Sequence, residues 1–464
     1  MKQKTDKSGL KTDEREPSYM KKMLNTGIKY ISAYIILLIV FIISLISVCL
    51  MPSKSMKENV SESADLLYNE GNRAFFNLSY TLLVLDNYTD ALMINTAYSI
   101  DNTTPLYSAL IARKNYIPGK TKKVYTDSVF ELKSASKYDA LNQVGELKDT
   151  VLDDIDESFE YARYWHGYLT YLRPLLTFMS FGNIRSLFIL LFALLGFSLL
   201  YILYKKINII VSFVFLNALL AIEYFFVGMT LHSASVFIIT MAASIYILAR
   251  FDKQKDFSMF FFIIGALTSF FDLSSAPLIT LGIPLVIYYI SLQNEKVLSF
   301  NETAITILKF CMNWGIAYII ILFSKWLIVD IIYNKDVIHS GMLQLVYRLT
   351  GSGNDVETSY VETLFRNFLF IRTYITFLAV QYFIILLFVR IKYKKINIYF
   401  NIKDLLPYII IVFMCPVWYF LARQHSFQHA FFTYRLQIIT IVAIQIIIVK
   451  IFGIYKQKIN AGAE

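Results

Sequence analysis

The chain has 464 residues, is 56% hydrophobic and only 17% charged, and has a mean hydropathy of +0.53. Soluble domains carry nearer a quarter charged residues, so these proportions exclude an ordinary soluble protein and indicate one that lives in a bilayer. The net charge of +10 comes from lysines clustered between apolar stretches, where it reports membrane orientation and gives no support for a nucleic-acid partner.

Residues 1–29 form a polar, lysine-rich head, disordered over its first part and expected in the cytoplasm. A bilayer core needs ~20 apolar residues in a helix, and about ten stretches approach this: 30–51, 186–204, 208–228, 233–250, 257–272, 274–292, 305–330, 370–390, 405–422 and 431–453. The first is long and bulky from Ile31 to Leu50, with no small-residue cleavage site, so it reads as an uncleaved span. Alternate connections carry Lys205 and Lys206, then Arg250 and Lys253, then Lys296, then Arg390 and Lys392, and the tail 454–464 carries Lys456 and Lys458. The short connections between them carry Arg423 alone. This asymmetry predicts cytoplasmic termini at both ends of a multi-pass cell-membrane protein. The abundance of isoleucine, lysine, tyrosine and asparagine suggests a bacterial source.

The expected fold is an all-α membrane protein of about ten transmembrane helices with a large helical extracytoplasmic loop after the first helix. That loop is 52–185. Transmembrane helices 2–7 occupy 186–330, a second extracytoplasmic loop 331–370, and helices 8–10 the stretch 371–453. Within the first loop, residues 58–97 and 139–180 read as mostly helical. Cys49, Cys311 and Cys415 all lie in apolar stretches, which argues against a disulfide framework.

All five histidines and most of the arginines fall on the predicted outer side, close to the ends of spans, where a bilayer expels such groups unless they have partners or work to do. Asp86 and Asp90 are spaced i, i+4 between apolar neighbours. Such a carboxylate suits proton abstraction from a hydroxyl, or a share in holding a divalent cation; two solvated acids are the plainer alternative. Between Glu160 and Pro174, helical geometry would align Arg163, His166, Thr170 and Arg173 on one face, fitting a phosphate, or equally an interfacial helix meeting lipid headgroups. Asp272, with Ser274 and Ser275, reads as a helix cap or as the partner of a site arginine. His232-Ser233 reads as a cap. Glu223 calls for a partner across the bundle. Arg423, His425, His429 and Arg435 cluster between the last two spans. The two histidines could contact a phosphate or sugar; a zinc site would need a third ligand, and no HExxH motif is present.

This layout resembles the GT-C superfamily of integral membrane glycosyltransferases, through the 52–185 loop, the Asp86/Asp90 acids, the Arg163–Arg173 segment and the histidine–arginine turn at 423–435. The resemblance implies transfer of a sugar from a polyprenyl-phosphate donor to a glycan, lipid or protein acceptor on the extracytoplasmic face. It implies a catalytic acid at Asp90 or Asp86, with Asp65 and Asp101 as further candidates. Family acids often sit sooner after the first span than Asp86 and Asp90 do here. Arg163, His166, Arg173, Asp272, Arg423, His425, His429 and Arg435 would bind substrate. No cofactor is demanded; a divalent cation stays open. The alternatives are a surface polysaccharide polymerase or ligase, and a transporter of a lipid-linked or anionic substrate.

Overall fold

The computed structural model describes residues 15–78, 81–115, 143–153, 158–254, 256–296, 299–350, 358–393 and 398–454. The parts of the polar head and tail outside these ranges, with Lys394, Lys395, Lys456 and Lys458, lie outside the described residues. The described residues are about 82% helical with almost no sheet, as an all-α protein should be. Among the described residues, seven helices are long and apolar enough to cross a bilayer: Met23–Cys49, Phe181–Lys206, Leu231–Arg250, Phe300–Tyr333, Tyr360–Lys392, Ile402–Leu421 and Ala430–Ile451. Three shorter apolar helices, Ile209–Ala221, Ser258–Phe271 and Ile279–Gln293, lie among them.

In chain order, α1 (Arg15–Cys49) leads into α2 (Lys57–Glu70), a β1–β2 hairpin (Ala74–Leu78, Thr81–Leu85), α3 (Asn87–Tyr98), α4 (Pro105–Ile111), β3 (Arg113–Asn115), α5 (Gln143–Asp153), β4 (Ser158–Glu160) and α6 (Leu169–Phe178). The stretch 58–97, expected to be mostly helical, is thus two helices separated by a hairpin. Gly71, at φ 80°, closes α2 in a conformation that other residues adopt only with strain, and the residues beyond it pair as an antiparallel ribbon. The reading of 139–180 is corrected in the same way. β4 pairs with β3, and 161–168 is irregular because His166 has φ 55° and Gly167 donates its N–H to the Phe270 carbonyl at 3.0 Å. A Cβ at Gly167 would lie 2.5 Å from that same oxygen, so only glycine permits the approach.

The bundle follows: α7 (Phe181–Lys206), α8 (Ile209–Ala221), a 3-10 turn (Tyr224–Met229), α9 (Leu231–Arg250), α10 (Ser258–Phe271), α11 (Ile279–Gln293) and α12 (Phe300–Tyr333). A Ser299–Glu302 capping box starts α12, and Gly265 lets α10 lie against the backbone of α12 at Trp314. Then come α13 (Val337–Thr350), α14 (Tyr360–Tyr393), α15 (Ile402–Val412), α16 (Met414–Leu421), α17 (Arg423–Gln428), α18 (Ala430–Thr433) and, after a 3-10 turn at Tyr434–Gln437, α19 (Ile438–Ile451). One core runs from α1 through α6 into the bundle.

Two cationic clusters join the domain between the first two spans to that bundle. Arg185 in the first turns of α7 donates to both Glu70 oxygens (2.7 and 2.9 Å), to Asn87 Oδ1 (2.7 Å) and to the Met229 carbonyl (2.9 Å). Arg173 donates through Nε to the Val48 carbonyl at 2.9 Å and through its two terminal nitrogens to the carbonyls of Ala97 and Met51. Lys325, fully buried in α12, donates to the Ala109 carbonyl at 3.2 Å and lies over the Trp165 ring. These carbonyls lie at or near the C-terminal ends of α1, α3 and α4, where backbone acceptors lack helical partners and cations are favoured.

Candidate functional site

The first turn of α3 meets the N-terminus of α9 and the α17–α18 turn. Asp86 caps α3, accepting from the Thr89 N–H at 3.3 Å and from its hydroxyl. Its Oδ2 lies 3.9 Å from Nδ1 of His232, too far for a hydrogen bond. Asp90, one turn later and fully buried, accepts the Leu231 N–H at 2.8 Å and so caps α9. Burial pushes its pKa well above the ordinary range, against the pull of Arg185.

Three histidines gather about one ring. The Phe432 centroid is 4.9 Å from that of His232, 5.1 Å from His429 and 5.9 Å from His425, and the two histidines of α17 and its C-cap are 4.8 Å apart. Burial, then the charge of Arg348, lowers His429 to about 4 and holds His425 well below its ordinary value, so both imidazoles are neutral near pH 7. Asp86, Arg73 and His232 also act on His429, Arg435 lies within electrostatic reach of His232, and Arg73 stacks over Phe431 at 4.7 Å. Asp272 turns one oxygen onto the N–H and hydroxyl of Ser275 (2.9 and 2.6 Å), the capping arrangement, and feels Arg348. Burial lifts Asp272 to about 6.

Buried polar atoms are almost always paired, because an orphaned one costs about 1–3 kcal/mol. Here the rule fails repeatedly in one neighbourhood. Both ring nitrogens of His232, Nε2 of His425, Nδ1 of His429, Nε and Nη2 of Arg435, and Oδ2 of Asp90 and Asp272 have no hydrogen-bond partner. Such a concentration of orphaned donors and acceptors is what a polar, anionic ligand would satisfy.

Not every residue singled out in the sequence reaches this point. The expected cationic face over 163–173 does not form, since the helix begins only at Leu169. His166 is enclosed by Tyr161, Tyr164 and Tyr168; its Nε2 donates to the Tyr161 carbonyl at 2.6 Å and Nδ1 lies 3.2 Å from the Tyr168 hydroxyl. Burial drives it down to about 3. Arg173 is occupied by three carbonyls on the α1 and α3 side. Arg163 reaches Gln344 at 3.5 Å and Arg423 the Thr350 carbonyl at 3.4 Å, both at the edge of α13. Asp65 pairs with Lys148 and Asp101 caps Thr103, both in exposed positions. Glu223 finds its cross-bundle partner in the Tyr434 hydroxyl at 2.8 Å. Among the described residues, no group of three histidine, cysteine or acidic side chains converges to hold a metal ion.

Sequence reasoning passed over Arg348, Arg73, Arg185 and Phe432. Arg348 had a usable signal: it follows Gln344 by four positions on an amphipathic helix between spans. Phe432 had none, since an aromatic ring in a span ordinarily reads as core. Set against known proteins, the chain matches no family model, no curated protein sequence and no solved structure.

Proposed function

We propose that this protein is a membrane glycosyltransferase of GT-C type, moving a sugar from a polyprenyl-phosphate donor to a cell-surface glycan, lipid or protein acceptor on the extracytoplasmic face of a bacterial membrane. The observation that carries the reading is the meeting of His232, His425 and His429 around Phe432, beside Asp86, with the charges of Arg73, Arg348 and Arg435 directed at them. All ten apolar helices cross the membrane in this reading, with both termini cytoplasmic as the lysine distribution indicates.

The chemistry is a single displacement. Asp86 takes the proton of the acceptor hydroxyl, the acceptor oxygen bonds to the anomeric carbon, and the bond from that carbon to the lipid phosphate oxygen breaks. His232 stands beside the acid at 3.9 Å with both ring nitrogens free to bind the acceptor. The arginines neutralise the departing phosphate, and the unpartnered imidazole nitrogens orient sugar hydroxyls. Asp86 takes the role of base in preference to Asp90 because it is the acid that stands beside the histidine cluster, its Oδ2 3.9 Å from Nδ1 of His232.

The test is transfer of radiolabelled sugar from a panel of polyprenyl-phosphate donors by protein reconstituted in liposomes. Wild type should yield a covalent glycosylated product, and Asp86→Asn should lose about 10²–10⁴-fold of that rate while melting at the wild-type temperature. Uptake of substrate without covalent product would replace this reading with transport. Extension of preassembled repeat units with no single-sugar transfer would replace it with polymerisation.

A further inference from the structure

The helix between the fourth and fifth of the seven helices of spanning length is not itself a span. α13 (Val337–Thr350) divides its residues sharply. Ile338, Met342, Leu345 and Leu349, spaced i, i+4, i+7 and i+11, are all exposed and form one stripe, with Val346 and Leu343 on its shoulder. The opposite side is engaged: Val337 and Gly341 are buried, Gly341 lying under the Trp326 ring, while Gln344 meets Arg163, Tyr347 accepts from Gln428 at 2.9 Å, and Arg348 lies over Tyr164.

The direction of the helix is fixed from α12. Asp330 accepts the N–H groups of Val337 and Ile338 at 2.7 and 3.0 Å, so the span itself caps the helix that follows it. Exposed apolar residues also lie on the helices that precede and follow α13 in the chain. Leu327, Ile331 and Ile332 are exposed at the end of α12, and Val361, Phe365 and Phe368 at the start of α14. Those residues belong to helices long and apolar enough to cross a bilayer, and Asp330 fastens α13 to the end of one of them, which puts the exposed stripe beside the same apolar phase. We infer that α13 is an interfacial helix whose Ile338–Leu349 stripe is seated in the lipid headgroup–acyl boundary, and that this seating holds its inward face against the histidine turn. The stripe carries no lysine, and Arg348 is turned inward, so the partner is the apolar edge of a lipid surface irrespective of headgroup charge.

The experiment uses the full chain in phosphatidylcholine nanodiscs. Spin labels at Met342→Cys and Leu345→Cys, with Cys49, Cys311 and Cys415 replaced by alanine, are compared with a lipid reference at Phe377→Cys and a water reference at Asn102→Cys. Collision with oxygen should exceed collision with a nickel chelate several-fold at both positions, as at residue 377. A nickel-dominated pattern like that at residue 102 overturns the inference in favour of open solvent. Suppression of both collisions overturns it in favour of a protein partner, including a second copy of this chain. Hydroxyl-radical oxidation of native Met342, which requires no cysteine replacement, should rise at least three-fold in the Leu345→Asp/Leu349→Asp variant, and equal rates would count against lipid seating. None of these readouts depends on sugar transfer.

Discussion

The Arg173–Lys325 cluster and the Arg348–Arg435–histidine cluster are built from similar cationic groups and lie near the same end of the molecule, yet their partners differ completely. Around Arg173, all three guanidinium nitrogens are taken up by carbonyls of Val48, Ala97 and Met51, and Lys325 is spent on Ala109. Around Arg435, Nε and Nη2 are buried without acceptors, and both nitrogens of His232 are equally unclaimed. Charge inside a membrane protein therefore has two physical meanings. A cation whose donors are exhausted by helix ends is architecture, and a cation whose donors are left over is available for chemistry.

Substitution can break this distinction. Arg173→Met should give the largest effect, lowering stability by about 3 kcal/mol or more because three carbonyls lose their donor, read as a fall in the thermal unfolding midpoint in detergent. A midpoint equal to wild type would erase the architectural half of the contrast. Arg435→Met should leave that midpoint nearly unchanged while reducing sugar transfer about 10²-fold, as expected for one lost donor to a departing anion. Equal loss of stability in the two variants would merge the clusters into one.

The histidines offer a second cut. His166 has a folded pKa lowered to about 3 from 6.5, so over that window the unfolded chain binds a proton that the folded chain refuses. Stability from this residue is intact above pH 6.5 and lost as the pH falls towards 3, at up to about 1.4 kcal/mol per unit. His166→Asn, which tolerates the left-handed backbone and keeps a donor for the Tyr161 carbonyl, should flatten the acid limb of a midpoint-against-pH curve. An unchanged acid limb would mean that His166 is not kept neutral by the fold. The smallest effect is expected at Asp90. Asn still accepts the Leu231 N–H, so Asp90→Asn should be near wild type in melting and in transfer, whereas Asp90→Leu should cost about 1 kcal/mol by uncapping α9.

Seven of the ten expected apolar stretches were legible because composition alone decides them: they fall in helices of spanning length, whereas the other three overlap shorter apolar helices. The turn at His425 and His429 was also legible, because i, i+4 spacing is a local property. Residues 161–168 were not. Their tyrosine and arginine spacing suits a helix, but the backbone of Gly167 is captured by Phe270, a residue more than a hundred positions away. Arg173 and Arg435 could not be told apart by sequence for the same reason. Their side chains are identical, and the acceptors that separate them belong to distant helix ends.

The Arg185 clasp, with the bonds from α12, also dictates an order of assembly. The domain that follows the first span is fastened by a guanidinium from the second span, and later by Lys325 and by the Ile321 carbonyl that receives the Trp165 indole N–H at 2.8 Å. A nascent chain that has emerged only as far as residue 180 has none of these fasteners. The Arg185 bonds become possible a few residues later and those of Ile321 and Lys325 only after more than a hundred, so an excised fragment spanning 52–180 would keep the bond of Arg173 to Ala97 and lack all the others.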